Sequence, residues 1–185
     1  SDVRFYEVDH YRSYEHTQAN DEQIATTIAL MRKAQRPLII VGSAGAYSYS
    51  GQSLQELVET TKFPIMTEGD ARGLIPDSHT YCKGFFDNGL NVAARRIREC
   101  DLVILLGRKQ DLIVGYTMDP IVSAKAKLIQ IDPDGNVIGR NRGVDVGIVG
   151  NVDEVVKQLV DEASKHSWSE LPWLDTLAND QERQK

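Results

Sequence analysis

Five short apolar runs, each ended by glycine or by turn-forming polar residues, constrain the fold of this chain more than any other feature. They occupy residues 38–41, 64–67, 102–106, 127–131 and 144–149. Runs this short and this apolar indicate strands that are buried on both faces of a sheet. Segments with helical spacing separate most of them, and this alternation favours right-handed crossovers between parallel strands. We therefore predict an α/β fold, a doubly wound parallel sheet of about six strands with helices on both faces.

Capping signals mark the first and the last of the predicted helices. Asn20 stands three residues before Gln23, and Asn151 stands three residues before Glu154, which is the spacing of a capping box. Apolar residues follow at helical spacing after both signals. Two further helices are predicted, one around Leu57 and one over residues 92–98, whereas residues 43–46 are interpreted as a loop.

Length and charge indicate one domain with acidic ends. The chain has 185 residues, with 21 Lys and Arg against 27 Asp and Glu, so its net charge is −6. By region the charge is −4 over residues 1–23, +1 over residues 24–160 and −3 over residues 161–185. We predict an N-terminal linker arm at 1–23, a central α/β domain at 24–163 and a C-terminal linker arm at 164–185. Aromatic residues such as Trp168 and Trp173 suggest that the arms lie on another surface; frayed termini are the alternative.

Composition also weighs against several classes of partner. No apolar run approaches the ~18 residues of a membrane span, so no membrane partner is expected. The acidic balance weighs against nucleic acid. The two cysteines, Cys82 and Cys100, stand in unlike contexts and are predicted to be reduced, which favours a cytoplasmic location.

Glycine and polar residues follow the predicted strands, at the edge where open parallel sheets bind their ligands. Glycine lets a phosphate approach the backbone, Arg108 and Lys109 would neutralise a diphosphate, and an Asp can accept from ribose hydroxyls. An adenine nucleotide would suit such an edge. The alternative is structural, because any doubly wound domain needs Gly and Asp at these turns. The residues concerned are Gly42, Ser43, Ala44, Gly45, Thr67, Arg108, Lys109, Asp132 and Asn151.

Other chemistries find less support in the sequence. The loop after the first strand matches neither the dinucleotide fingerprint G-x-G-x-x-G nor a P-loop, and no G-x-S-x-G elbow is present. The histidines and cysteines lack metal-ligand spacing. Glu68 and Asp70 are interpreted either as paired carboxylates for acid–base work or as helix caps. No complete catalytic constellation is found, and no catalytic or metal-binding residue is predicted.

Five motifs in order carry a resemblance to a known family. They are RPLIIVG at 36–42, GLIPDSH at 73–79, CDLVILLG at 100–107, IQID at 129–132 and VGIVGN at 146–151. This series resembles the central domain of thiamine-diphosphate-dependent enzymes of the acetolactate synthase and oxalyl-CoA decarboxylase type. The resemblance covers about residues 22–163. Gly45, Ala46 and Tyr47, before an acidic helix, are most similar to the branch of 2-hydroxyacyl-CoA lyase and oxalyl-CoA decarboxylase.

The resemblance implies a larger enzyme with three α/β domains. In that family thiamine diphosphate and Mg²⁺ lie between the first and third domains, which supply the activating Glu and the metal-binding motif. Neither feature is found in these 185 residues. The resemblance therefore implies a central domain that is inactive alone, flanked by thiamine-binding domains of the same enzyme in a homo-oligomer. The full enzyme would be a lyase or transferase that cleaves or forms C–C bonds of 2-keto acids or acyl-CoA substrates.

Some members of the family bind FAD or ADP on the central domain, and others bind nothing there. The resemblance adds Gly84 to the candidate positions at the strand ends. Three departures weigh against either nucleotide: Lys109 stands where an Arg is usual, Pro133 lacks a backbone N–H, and Asn151 replaces a common Asp. We do not interpret the chain as a flavoprotein. A stand-alone adenine-nucleotide-binding module on the same fold is the alternative function.

Overall fold

A computed structural model describes residues 16–48 and 50–184, so most of the predicted N-terminal arm lies outside the described residues. Its centre is a sheet of six parallel strands in the order β3-β2-β1-β4-β5-β6. The strands are β1 (Pro37–Val41), β2 (Ile65–Thr67), β3 (Cys82–Phe85), β4 (Leu102–Leu106), β5 (Lys127–Asp132) and β6 (Val146–Val149). The predicted α/β fold is confirmed.

Among the described residues, five α-helices and three short 3₁₀ segments connect and cover these strands. The α-helices are α1 (Asp21–Lys33), α2 (Ser43–Tyr47), α3 (Gly51–Thr61), α4 (Val152–Ala163) and α5 (Pro172–Gln184). The 3₁₀ segments are Gly69–Ala71, Ala93–Glu99 and Leu112–Thr117. Both predicted N-caps are present, because Asn20 accepts a hydrogen bond from the Gln23 backbone amide at 2.8 Å and Asn151 accepts one from the Glu154 backbone amide at 3.2 Å. The cap at Asn20 is a complete capping box, whereas the backbone amide of Asn151 donates to the Thr17 carbonyl instead of the Glu154 side chain. No helix within the described ranges has both the length and the apolar character needed to cross a membrane.

The two faces of the sheet have different covers. Ile39, Ile104 and Ile129 belong to the core under α1, α3 and α4. Their strand neighbours Leu38 and Val103 belong to a second core on the opposite face. The 3₁₀ segment Ala93–Glu99 and helix α5 cover that second face. Alternate strand residues therefore serve opposite cores, which explains why the runs are apolar throughout.

Three elements differ from the sequence expectations. Strand β3 was not among the five predicted strands, because CKGF contains a lysine and a glycine and pairs at one edge of the sheet. Residues 43–46, interpreted as a loop, lie in the short helix α2. Within the predicted C-terminal arm, α5 packs on this same domain, and Trp173, Leu174 and Leu177 are buried there.

Candidate functional site

The carboxyl ends of β1 and β4 are adjacent, and the loops that follow them interlock. The Gly42 amide donates to the Leu106 carbonyl at 2.9 Å, and the Ala44 amide donates to the Gly107 carbonyl at 3.2 Å. Gly107 has a φ of +60°, and a Cβ there would stand 2.3 Å from the Gly45 nitrogen. Glycine is therefore required at 107 by both conformation and contact.

Most backbone donors of the first loop are used within the protein. Besides Gly42 and Ala44, the amides of Gly45 and Ala46 both donate to the Gly42 carbonyl, at 2.9 and 3.3 Å. Ser43 begins the five-residue helix α2, and its hydroxyl lies beside Gly69 of the next loop. The stretch from Gly42 to Gly45 thus joins two strand ends, and few of its N–H groups are left for a phosphate.

Arg108, predicted to face a diphosphate, is instead buried between two carboxylates. Its Nε lies 3.0 Å from Glu68 Oε2 in an ion pair that is not aligned as a hydrogen bond. Its terminal nitrogens donate to Asp111 at 2.6 and 2.9 Å. Burial raises the pKa of Glu68, and the charge of Arg108 opposes that rise. The guanidinium therefore ties the ends of β2 and β4 together.

The pKa of Asp111, on the other side of Arg108, is shifted in the opposite direction to that of Glu68. Partial burial works to raise its pKa, but the hydrogen bonds and charge of Arg108 and the amides of Ile113 and Val114 outweigh burial, so the pKa is lowered. Asp111 is also the N-cap of the 3₁₀ segment Leu112–Thr117 and accepts from the Ile113 amide at 3.0 Å. Sequence reasoning missed Asp111, because three residues of spacing in a loop carry no signal of their own.

Lys109 and Asp132 lie at the ends of neighbouring strands, and they differ in access to solvent. Lys109 is exposed, whereas Asp132 is buried and accepts a hydrogen bond from the Asp134 amide at 2.9 Å. Burial raises the pKa of Asp132, and the positive charge of Lys109 partly opposes this rise. These two residues are near enough to interact electrostatically, as the prediction of a shared edge requires.

The remaining predicted positions are spread across the sheet. Thr67 is fully buried, and its hydroxyl has no hydrogen-bond partner among the described residues. Asn151 caps α4, and its amide donates to the Thr17 carbonyl at 2.9 Å. Gly84 lies on β3 with the side chains of Asn91 and Gln181 nearby. Because β3 and β6 are opposite edges of the sheet, Gly84 and Asn151 do not share one site.

The carboxylates Glu68 and Asp70 have different side-chain partners. Glu68 binds Arg108, and its side chain makes no capping hydrogen bond to the 3₁₀ segment Gly69–Ala71. Asp70 accepts from the Tyr47 hydroxyl at 3.1 Å. Within residues 16–48 and 50–184, no three His, Cys, Asp or Glu side chains are grouped to hold a metal ion. Both cysteines are buried and unbridged.

The chain is similar to one known protein family and to several known enzymes. Residues 24–159 match the family described as thiamine pyrophosphate enzyme, central domain. The chain is 30% identical over 162 residues to human 2-hydroxyacyl-CoA lyase 1, which covers 86% of the chain and 27% of that protein. It is 35% identical over 146 residues to acetolactate synthase of Mycobacterium avium, covering 78% of the chain and 23% of that protein.

A solved structure agrees in fold. The thiamine diphosphate-dependent 4-hydroxybenzoylformate decarboxylase of Rhodococcus jostii RHA1 superposes with a TM-score of 0.69 at 19% identity, over 89% of this chain and 31% of that one. The chain thus spans about a quarter of the length of the relatives it matches. Its match over residues 24–159 and its six-stranded fold lead to one conclusion: the chain belongs to the family of thiamine pyrophosphate enzyme central domains.

Proposed function

We propose that this chain is the central, structural domain of a thiamine-diphosphate-dependent lyase or transferase that decarboxylates or ligates 2-keto acids or acyl-CoA substrates. The family match over residues 24–159 carries the proposal. Because the chain spans 27% of a relative named 2-hydroxyacyl-CoA lyase 1, the chemistry is assigned to the remaining part of a longer polypeptide. Thiamine diphosphate and Mg²⁺ would be bound by flanking domains, and the full enzyme would be a cytoplasmic homo-oligomer.

The strand-end edge supports a structural role for this domain. Arg108 is occupied by Glu68 and Asp111, and Asn151 is occupied as a helix cap. Such residues do not form a free diphosphate-binding set of the kind that FAD or ADP needs. We accordingly assign these residues to holding the loops of the domain in place, and we assign no catalytic residue to the chain.

The experiment begins with the coding sequence on either side of residues 1–185. We expect it to encode thiamine-binding domains. The complete polypeptide and the isolated chain are then assayed with thiamine diphosphate and Mg²⁺ for C–C bond cleavage of 2-keto acids and 2-hydroxyacyl-CoA thioesters. Turnover by the complete polypeptide, with none by the isolated chain, supports the proposal. Flanking sequence without a thiamine-binding domain, or turnover by the isolated chain, refutes it.

A stand-alone adenine-nucleotide module is the second candidate. Two observations favour it: the exposed Lys109 lies within electrostatic reach of Asp132, and the buried Thr67 hydroxyl at the same edge has no hydrogen-bond partner in the part of the chain that is described. Isothermal titration calorimetry of the isolated chain with ADP, FAD, NAD and CoA tests this function. Micromolar binding without encoded thiamine-binding domains would establish it in place of the first.

A further inference from the structure

Exposed apolar side chains concentrate in one short segment of the domain. Of the eight large apolar side chains exposed in the described residues, five lie within residues 112–121. Leu112 is the most exposed of the five, at 74%. The segment follows β4, at the carboxyl edge near the middle of the sheet. The five are Leu112, Ile113, Tyr116, Met118 and Ile121, and we call them the 112–121 patch.

The segment is held firmly although its apolar side chains face outward. Val114 and Val122 are fully buried in the second core and anchor the segment from below. At its start, Asp111 binds Arg108, and the Asp111 carbonyl accepts from the Tyr116 amide at 2.7 Å. These contacts fix where the patch begins.

A second arginine holds the other end. Arg142 donates to the carbonyls of Thr117 and Ser123 at 2.8 and 3.0 Å, and to those of Ala124 and Ala126 at 3.1 and 2.7 Å. Four backbone carbonyls from residues 117–126 thus converge on one guanidinium. A segment braced in this way presents its side chains in one arrangement, which lowers the entropic cost of binding a partner.

The backbone of the patch is strained. Gly115, Tyr116 and Thr117 have φ values of +57°, +54° and +55°. Left-handed φ is unusual for an aromatic residue and more so for the β-branched Thr117. Such strain persists where the surroundings impose it, and it concentrates at functional surfaces. Here Arg108 and Arg142 hold the two ends of a segment that exposes apolar side chains to solvent.

We propose that the 112–121 patch is the docking surface for a thiamine-binding domain of the same enzyme. This inference rests on the proposed function, and it adds the place of contact. The chain spans 27% of 2-hydroxyacyl-CoA lyase 1, so most of a polypeptide of that length would lie outside the structure. A cluster of five exposed apolar side chains within ten residues indicates an interaction surface.

The size of the patch favours a tethered domain over a second copy of the chain. A free-standing dimer needs roughly 20–30 residues on each side. The patch supplies five exposed apolar residues, which is too few for that purpose. A domain in the same polypeptide is held at an effective concentration in the millimolar range, so a small contact is enough.

Thiol labelling of the complete polypeptide and of the isolated 185-residue chain tests the proposal. Both cysteines of this chain are buried, and labelling is read by mass spectrometry on the peptide that carries the introduced thiol, so cysteines elsewhere in the complete polypeptide do not contribute. We expect Leu112→Cys to react with a maleimide about tenfold more slowly in the complete polypeptide than in the isolated chain. Val149→Cys, at another exposed apolar position on β6, is the matched control and should react at the same rate in both. Adding Ile113→Glu to Leu112→Cys should restore fast labelling in the complete polypeptide.

Three outcomes would overturn the inference. They are equal labelling of Leu112→Cys in both proteins, equal slowing at Leu112→Cys and Val149→Cys, and a dimer of the isolated chain that Leu112→Glu dissociates. Failure of the proposed function is recognised separately. If the coding sequence encodes no thiamine-binding domain, both proposals fail, whereas an encoded domain that leaves Leu112→Cys reactive refutes the docking surface alone.

Discussion

The indole Nε1 of Trp173 donates a hydrogen bond of 2.9 Å to the carbonyl oxygen of Pro37, the first residue of β1. This bond fastens α5 to the central part of the sheet across the second core. Trp173 is 5% exposed, so most of its ring is also removed from water. A helix at the far end of the chain thereby stabilises the first strand.

Truncation of the Trp173 side chain should destabilise the domain. We expect Trp173→Ala to lower the free energy of unfolding by about 3–5 kcal/mol, because a large buried side chain leaves a cavity. Trp173→Phe should cost about 1–3 kcal/mol, because most of the buried surface is kept while the Pro37 carbonyl loses its donor. Urea unfolding followed by circular dichroism measures both. Asn179→Ala, on an exposed position of α5, should stay within about 0.5 kcal/mol of wild type.

Arg96 and Asp180 form a second link between α5 and the domain. Arg96 Nε donates to Asp180 Oδ2 at 2.6 Å, and the hydrogen bond lowers the pKa of Asp180 from its ordinary 3.8. A lowered pKa in the folded state stabilises the fold above the ordinary pKa, and this contribution is lost as pH falls through the lowered value. We expect Asp180→Asn to cost about 1–3 kcal/mol at pH 7.

The pH series gives the sharper result for this pair. The difference in unfolding free energy between wild type and Asp180→Asn should shrink as the pH is lowered through 3.8 and below. Asn179→Ala, at an exposed position on the same helix that carries no titratable group, should give a difference that changes little with pH. A constant difference between wild type and Asp180→Asn would contradict the role of the ionised carboxylate.

Removal of Arg108 should leave Glu68 buried without its counter-charge. We expect Arg108→Met to lower the free energy of unfolding by about 3–5 kcal/mol at pH 7. The double variant Arg108→Met/Glu68→Met should be more stable than Arg108→Met alone, because the buried charge of Glu68 is removed and Asp111, which also loses its partner, is partly open to solvent. Urea unfolding of the three proteins checks the order, and equal stability of the single and double variants would contradict it.

Acid should partly rescue Arg108→Met. The pKa of Glu68 is already raised above its ordinary 4.5 by burial. A raised pKa contributes stability that is present below 4.5 and is lost as pH rises through the raised value. The difference in the free energy of unfolding between wild type and Arg108→Met should therefore become smaller between pH 7 and pH 4.5, because Glu68 takes up a proton and becomes neutral.

Gly107→Ala should separate the two interlocked loops. The substitution places a Cβ 2.3 Å from the Gly45 nitrogen at a φ of +60°, so both contact and conformation oppose it. We expect a loss of more than about 2 kcal/mol, of which left-handed strain accounts for about 1–2 kcal/mol. Gly143→Ala is the control, because nothing lies within 4 Å of its Cβ position. Thermal unfolding compares them, and similar melting temperatures would contradict the interlock.

If a nucleotide binds, Lys109 and Asp132 should divide its recognition. Lys109→Ala should weaken the binding of ADP or FAD and leave the binding of adenosine unaffected, since the ammonium group would interact with the diphosphate. Asp132→Ala should weaken the binding of ADP, FAD and adenosine, because all three contain the ribose. Calorimetry with the three ligands measures this division. Equal loss of every ligand, adenosine included, for both variants would contradict it.

The sequence pattern was sufficient for the central strands and insufficient for the edge strand and α5. Strands β1 and β4 are buried on both faces, so their apolar runs identify them. Strand β3 lies at an edge, where a short strand with Lys83 and Gly84 resembles a loop. In α5, Trp173, Leu174 and Leu177 have helical spacing, but the polar residues around them obscured the core-facing stripe.

The candidate site shows a different limit of prediction. The pattern identified which residues follow the strands, but it did not give the strand order that brings Gly42 and Gly107 together. It did not identify the partners of Arg108, because Glu68 lies forty residues earlier and only the fold brings them together. Arg142 was missed for the same reason: nothing in its neighbourhood of the sequence signals that four carbonyls converge on it.

The order in which the two faces are completed has a consequence for biosynthesis. Pro37 and Trp173 are 136 residues apart, so β1 leaves the ribosome long before the ring that covers it. At about 5–20 residues per second, the part of the second face that α5 covers stays open to water for several seconds or more. We expect the nascent chain to be an early client of ribosome-associated chaperones, and to be released from them as α5 emerges.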